Sequence, residues 1–360
     1  MNAQNLIDPT SAVHDRWTMC SSSTGAVEDH STLFPAGRTG THLSLLQPVG
    51  GLQMVQSFAH IPVLRDEVVA AFAPVPAGVL VDATVGGGGH SAALLAAYPG
   101  LHVVGLDRDA VALGAAAERL AAFGDRVTLV HAPFSSLGEV TEGPLSGVLF
   151  DLGVSSPQLD EAERGFSYRT DAPIDMRMDQ SIGETAAHLV NELPEAALAA
   201  LFRENGEGRL SGRIARAVVN ARPLTSTLQL ADVVAASVPA AVRRKGHPAK
   251  RVFQALRIAV NDELGQLAVA LPVALDRLEV GGRCAVISYH SGEDRLTKQI
   301  FTQASTGGCT CPPGLPCVCG AVVRHQLVFR GARRPGADEV AGNRRAGSAR
   351  LRVIARTAAD

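Results

Sequence analysis

The sequence predicts an α/β fold in which an open parallel sheet is interrupted by a helical insertion. Three observations carry this expectation. The apolar run Val79-Leu80-Val81 leads into four glycines, Gly86 to Gly89, and then an Ala/Leu-rich helical segment. A second apolar run, Leu101 to Leu106, ends in Asp107, 21 residues after Gly86, where an acid reaches ribose hydroxyls. The strand–helix alternation stops near Leu159, gives way to helical runs, and returns near residue 251.

Residues 1–56 are rich in Ser, Thr, Gly, Gln and His without sustained periodicity, which predicts a largely disordered tail, with Met54 as an alternative start. The strand–glycine–helix unit that follows reads as a nucleotide cradle. Glycines let backbone N–H groups approach a ligand, and Ser91 opens a helix to Tyr98 whose positive end favours an anion. Pro99-Gly100 ends that helix. Asp82, at the strand end, either hydrogen-bonds the ligand or holds the loop. Ala110 to Phe123 reads as a helix and Val127 to His131 as a third strand. Phe134, just after it, lies against an adenine face or is a core aromatic. Leu145 to Phe150 is a fourth strand ending in Asp151, and the carboxyl ends of parallel strands face the ligand crevice.

Helical runs then cover Glu184 to Glu192, Glu195 to Asn205, Gly212 to Ala221 and Thr227 to Ser237, separated by Pro and Gly. Sheet patterning resumes with a helix from Val252 to Leu271 and a buried strand leading to Ser288-Tyr289-His290.

A chain of 360 residues with 46% hydrophobic content suffices for two packed domains, and a net charge of −2 argues neither for nor against nucleic acid. Charge distribution says more. Residues 321–360 hold nine arginines against Asp338, Glu339 and Asp360, and Pro239 to Phe253 holds Arg243, Arg244, Lys245, Lys250 and Arg251 with no acid. Such segments contact phosphates or form a solvated face. No apolar run approaches the roughly 18 residues of a membrane span, and the N-terminus lacks a secretory pattern, so a cytoplasmic, membrane-free protein is expected. Cys309, Cys311, Cys317 and Cys319 form a cluster spaced more tightly than the usual C-x₂₋₄-C. It either closes an accessory zinc site or is a reduced, Pro-rich loop; the catalytic reading itself needs no metal.

The ligand follows from the same residues. The loop is not G-x-G-x-x-G, and no second phosphate-binding turn or Walker lysine occurs, which disfavours NAD and ATP relative to S-adenosylmethionine. The helix start suits that molecule's carboxylate and Asp107 its ribose.

His60-Ile61-Pro62-Val63-Leu64, Asp151-Leu152-Gly153-Val154-Ser155-Ser156-Pro157-Gln158-Leu159-Asp160, Glu163-Arg164-Gly165-Phe166-Ser167, Asp175-Met176-Arg177-Met178-Asp179 and Phe253-Gln254-Ala255-Leu256-Arg257-Ile258 together form a recognisable set. In these the chain resembles the bacterial 16S ribosomal RNA cytosine-N4 methyltransferases, from about residue 57 to 355. The resemblance implies a Rossmann-like S-adenosylmethionine-binding domain, residues 57–158 and 251–360, with a helical domain, residues 159–250, inserted in it. It implies N4-methylation of a cytidine in the decoding region of 16S rRNA, in the small ribosomal subunit. Cofactor contacts would fall on Gly88, Gly89, His90, Asp107, Phe134, Asp151 and Gln158, of which His90 and Gln158 come from the resemblance alone. Gly292 stands where the family has Leu, loosening the turn while keeping His290, Glu293, Asp294 and Arg295.

An exocyclic cytosine amine is a weak nucleophile because its lone pair is delocalised into the ring. Asp151, or a carbonyl in the Leu152 to Ser155 turn, is expected to orient it. His290 is a candidate proton acceptor or RNA contact, and Tyr289, Phe166 and Tyr168 are candidates to stack on a flipped base or to be core residues. A DNA methyltransferase would carry a D/S-P-P-Y/W loop, which is missing. An assembly factor that binds the cofactor without turnover is the remaining alternative, against which the intact Asp107 and Asp151 segments argue.

Overall fold

The protein is described here by a computed structural model covering residues 61–206, 208–244, 246–312 and 318–357. The expected N-terminal tail, with Met54, lies outside these residues, as do His60 of the first family segment, Lys245 and Cys317.

In chain order the first half gives α1 (Arg65–Phe72), β1 (Gly78–Asp82), α2 (Gly89–Ala97), β2 (Leu101–Asp107), α3 (Ala110–Leu120), β3 (Val127–His131), α4 (Leu137–Val140), β4 (Leu145–Asp151) and α5 (Ser156–Asp160). A helical segment follows, with α6 (Ala186–Glu192), α7 (Glu195–Glu204), α8 (Ser211–Asn220), α9 (Thr227–Ser237), α10 (Ala240–Arg243) and α11 (Ala249–Asn261). The chain then completes the sheet through α12 (Glu263–Arg277), β5 (Leu278–Ser288), α13 (Ser291–Thr306), β6 (His325–Leu327), α14 (Ala337–Gly342) and β7 (Arg350–Arg356).

The strands form one sheet in the order β3-β2-β1-β4-β5-β7-β6. Strands β1 to β5 pair in parallel, while β7 runs antiparallel to both β5 and β6. This is the α/β, Rossmann-like sheet that the sequence predicts. Residues of β4 alternate between two cores, Leu149 facing one with Phe72, Leu94 and Leu120, and Val148 and Phe150 facing the other with Leu137, Leu271 and Phe301. A strand buried on both faces reads as a continuous apolar run, which is why β4 is legible in the sequence.

The order reverses between β1 and β4, and at such a switch point a crevice opens beyond the carboxyl ends of the strands. The register places Asp82 beside Gly105 and Leu149, and Asp151 beside Ile287, so the strand-end acids share that edge.

The helical segment has its own core, including Phe166, Ile174, Phe202, Ile214 and Leu230. Val252, Phe253 and Leu256 on α11 join it, whereas Leu267 and Leu271 on α12 pack under the sheet. The single helix expected from Val252 to Leu271 is therefore two, bent by 56°. Asp262 adopts a left-handed φ of 47°, a conformation Asp tolerates. Asn261 is pulled into tertiary bonds, donating to Met176 O at 2.7 Å and accepting from Met178 N at 2.9 Å. The helix expected from Ala110 to Phe123 ends at Leu120 and tightens into a 3₁₀ turn, Ala121–Arg126. Among the described residues no single helix is long and apolar enough to cross a membrane.

The basic C-terminal segment is in part an ordered element. Arg350 and Arg352 lie on β7 and both bond Asp294 of α13, at 2.7 and 2.8 Å. Arg345 pairs with Asp160 at 2.7 Å. Arg350 and Arg352 tie β7 to α13, and Arg345 reaches the end of α5.

Candidate active site

The glycine loop between β1 and α2 is built from the inside outward. Ala83 N donates to Leu149 O and Val85 N to Leu106 O, so β1 is held on both flanks past its last residue. Gly88 caps α2 at φ 74°, and a Cβ there would lie 3.1 Å from the Leu120 side chain. Only glycine combines that conformation with that approach. Helix α2 begins at Gly89, two residues earlier than expected, and Ser91 is not its cap. Ser91 instead donates its hydroxyl to Asp82 Oδ2 at 2.6 Å. No side chain caps α2, which leaves its first N–H groups directed at the crevice.

Asp107 organises the same loop from β2. Its Oδ2 accepts from Gly86 N and its Oδ1 from Asp109 N, both at 2.9 Å. Burial pushes the Asp107 carboxyl up despite these bonds. Asp82 is more deeply buried and is pushed up to about 6, mainly by desolvation, with Ser91 and His90 opposing and Asp151 adding to the rise.

Asp151 ends β4 with its backbone N donating to Thr84 Oγ1 at 2.6 Å, and its side chain is 25% exposed. Tyr289, one residue beyond β5, donates its hydroxyl to Asp151 Oδ1 at 2.9 Å. Burial and the neighbouring Asp151 charge push the phenol well above its usual range, so it stays protonated and donates. His90 Nε2 lies 3.5 Å from Asp151 Oδ2. Neither His90 ring nitrogen has an aligned hydrogen-bond partner although both are buried. A buried orphan is costly, and here it lies at the start of α2, where a ligand would meet it.

A second network underlies the first. Asp109 caps α3 by accepting from Val111 N at 3.0 Å, and its Oδ2 accepts from Gln158 Nε2 at 2.8 Å and Arg164 Nη2 at 2.9 Å. Arg164 also donates to Met178 O at 2.9 Å. The start of the helical segment and the loop after β4 are thus tied to the glycine loop through Asp107 and Asp109. Sequence reasoning misses Asp109 and Arg164 as site residues; an Asp before an Ala-rich helix signals a cap and nothing more.

The other expected residues divide. Phe134 packs edge-to-face on Phe150, ring centroids 5.9 Å apart, with its ring half-buried. Phe166 and Tyr168 belong to the helical core, where Tyr168 stacks on His247 at 4.8 Å. His290 caps α13: its Nδ1 accepts from Gly292 N at 3.2 Å and Glu293 N at 3.4 Å, and its Nε2 lies 3.0 Å from Glu293 Oε1. Burial would raise the Glu293 carboxyl, but His290 and Arg257 outweigh it and hold it low. A Cβ at Gly292 would lie 3.1 Å from the His290 ring, so the glycine seats that ring rather than merely loosening the turn. Cys309, Cys311 and Cys319 follow the far end of α13, about 24 Å along a helix of 16 residues from His290.

The cradle fits S-adenosylmethionine: α2 offers N–H groups to a carboxylate, Asp107 stands at the β2 end for hydroxyls, and His90 carries orphaned nitrogens between them and Asp151.

Curated relatives include the ribosomal RNA small subunit methyltransferase H of Heliobacterium mobile, 52% identical over 82% of this chain and 98% of the relative. That of Thermobifida fusca is 51% identical over 83% of this chain and 94% of its own. A solved rRNA methylase from Streptococcus thermophilus aligns over 82% of this chain and 94% of its own at 14% identity and a TM-score of 0.37, too distant to bear on function. Residues 57–357 match the MraW methylase family, and the chain therefore belongs to that family of S-adenosylmethionine-dependent methyltransferases.

Proposed function

We propose that this protein transfers a methyl group from S-adenosylmethionine to the N4 amine of a cytidine in the decoding region of 16S rRNA, acting in the cytoplasm on the small ribosomal subunit. Relatives of about half-identical sequence, matched over 94–98% of their own length, carry the small-subunit rRNA methyltransferase name. The observation that carries the reading is the Asp151 carboxylate, part-exposed at the switch point and held from one side by the Tyr289 hydroxyl.

The cofactor supplies an electrophilic methyl on a sulfonium. Gly88, Gly89 and His90 at the start of α2, Asp107 at the end of β2, and Phe134 after β3 are the residues proposed to hold it, with Gln158, buried between Asp109 and Ser155 N, bracing the loop after β4 beneath them. Asp151 accepts a hydrogen bond from the cytosine amine, which draws the nitrogen lone pair out of conjugation and fixes its direction. A carbonyl of the Leu152 to Ser155 turn takes the second N–H. Tyr289 keeps Oδ1 occupied and His90 lies 3.5 Å from Oδ2, so the lone pairs these two leave open on the part-exposed carboxylate are offered to the amine. Positioning of this kind supplies on the order of 7–11 kcal/mol of a barrier. No strong base is needed, because the methylated amine is cationic and loses its proton readily. His290 is 10% exposed, with Nδ1 engaged as the cap of α13 and Nε2 directed at Glu293 3.0 Å away, so we assign it a positioning role at the end of β5 rather than proton transfer. Exposed Arg243, Arg244, Lys250 and Arg251 are proposed phosphate contacts.

The test is methyl transfer from labelled S-adenosylmethionine to small subunits taken from cells lacking this gene, with nucleosides resolved by mass spectrometry. N4-methylcytidine is expected. Label in 5-methylcytidine, in a 2′-O-methyl nucleoside, or in no nucleoside despite cofactor binding overturns the assignment; the last outcome favours a binding-only assembly factor.

A further inference from the structure

We propose that Cys309, Cys311 and Cys319 form a binding site for zinc, holding the loop between α13 and β6. Their sulfurs all lie within 4.8 Å of one another, and Cys319 and Cys309 are 3.5 Å apart. Tetrahedral zinc with Zn–S of about 2.3 Å sets its sulfurs about 3.8 Å apart, so small movements bring all three onto one ion. A disulfide requires about 2.05 Å and unites only two sulfurs. Val318 N donates to Cys311 Sγ at 3.5 Å, the kind of contact that favours a thiolate. Thiolates select zinc over magnesium or calcium.

The surroundings explain why a metal is useful there. Helix α13 ends at Gly307, φ 62°, whose Cβ position lies 2.5 Å from Val322 O, so the outgoing and returning chains meet backbone to backbone. Among the described residues between them, the valines are turned outward: Val318 is 89% exposed and Val322 56%. A long connection without its own core is ordered by a cross-link or a metal. The loop also walls a groove of about 530 Å³ with Arg295, Lys298 and Thr302 of α13, so the ion would fix one side of it. The other convergence of ligand groups is Glu263 with His290 and Glu293, in which His290 Nε2 and Glu293 Oε1 face only each other, 3.0 Å apart, and the remaining carboxylate oxygens are engaged. Arg257 bonds both Glu263 oxygens at 2.7 Å, and Glu293 Oε2 accepts from two backbone N–H groups.

The full chain, purified under reducing conditions and passed through a column containing EDTA, is analysed for zinc by mass spectrometry and then exchanged with cobalt. One equivalent per chain is expected, with a thiolate-to-cobalt charge-transfer band and tetrahedral visible absorption. The Cys309→Ser, Cys311→Ser, Cys319→Ser triple variant is expected to lose at least nine-tenths of the metal. Wild-type protein with well under half an equivalent and no charge-transfer band overturns the proposal, as does a Cys309–Cys319 disulfide in metal-free protein. The cobalt spectrum decides even if the triple variant does not fold.

Discussion

The Tyr289 hydroxyl donates to Asp151 Oδ1 at 2.9 Å, joining residues 138 positions apart across the ends of β4 and β5. The bond orients a carboxylate that would otherwise rotate freely at the mouth of the crevice. Replacing Tyr289 by Phe keeps the ring packing and removes the donor. A hydrogen bond to a charged group is worth about 1.5–3 kcal/mol, so turnover should fall roughly tenfold to a hundredfold at saturating cofactor with the melting temperature little changed. Unchanged turnover in a methyl-transfer assay would show that the bond does not set the geometry.

Asp109 accepts from Gln158 and Arg164 with all three side chains buried. Asp109→Asn removes the buried counter-charge of Arg164 and leaves only the half-exposed Glu161 carboxylate at 4.0 Å, which costs up to about 3–5 kcal/mol. Urea unfolding reads this directly, and a loss below about 1 kcal/mol would mean that Met178 O and neighbouring groups already satisfy Arg164.

Much of this arrangement is legible in the sequence, and the exceptions have physical causes. Strands β1, β2 and β4 are buried runs that end in Asp82, Asp107 and Asp151, so pattern and position coincide. The Asp109–Arg164–Gln158 network leaves no local trace because its partners are 55 and 49 residues from Asp109. The α11–α12 break has no Gly or Pro at its centre; tertiary bonds to Asn261 impose it, and α12 runs through Pro272. Strand β7 is hidden by its charge, since Arg350 and Arg352 alternate with the buried Leu351 and Val353, a strand pattern that reads first as a basic tail.

Asp82 gives a pH signature. Its carboxyl rises from 3.8 to about 6 on folding, chiefly through desolvation. An acid that binds its proton more tightly when folded takes one up between those values, so its contribution to stability is greatest at low pH and falls as pH rises. The rise corresponds to about 3 kcal/mol. The stability of wild type relative to Asp82→Asn, from urea unfolding, should therefore decline by up to about 3 kcal/mol between about pH 4 and pH 7. A difference that stays constant over that interval would place the group at its unfolded value.

The exposed basic segment beside α11 makes a salt-dependent prediction. Neutralising Arg243, Arg244 and Arg251 should weaken binding to small subunits and lower the slope of log affinity against log salt by about 0.7 for each phosphate no longer neutralised, about 2 in all. An unchanged slope, measured by filter binding across salt concentrations, would make these arginines a solvated face.

The assignment of function rests most heavily on Asp151 as the group that orients the amine. Single-turnover methyl transfer to small subunits at saturating S-adenosylmethionine, comparing wild type with Asp151→Ala, separates that role from cofactor affinity. The expected rate is at least a hundredfold lower, in a protein that still folds and, at these concentrations, still fills with cofactor. A rate within a few-fold of wild type would contradict the assignment and move the orienting role to the backbone carbonyls of the Leu152 to Ser155 turn.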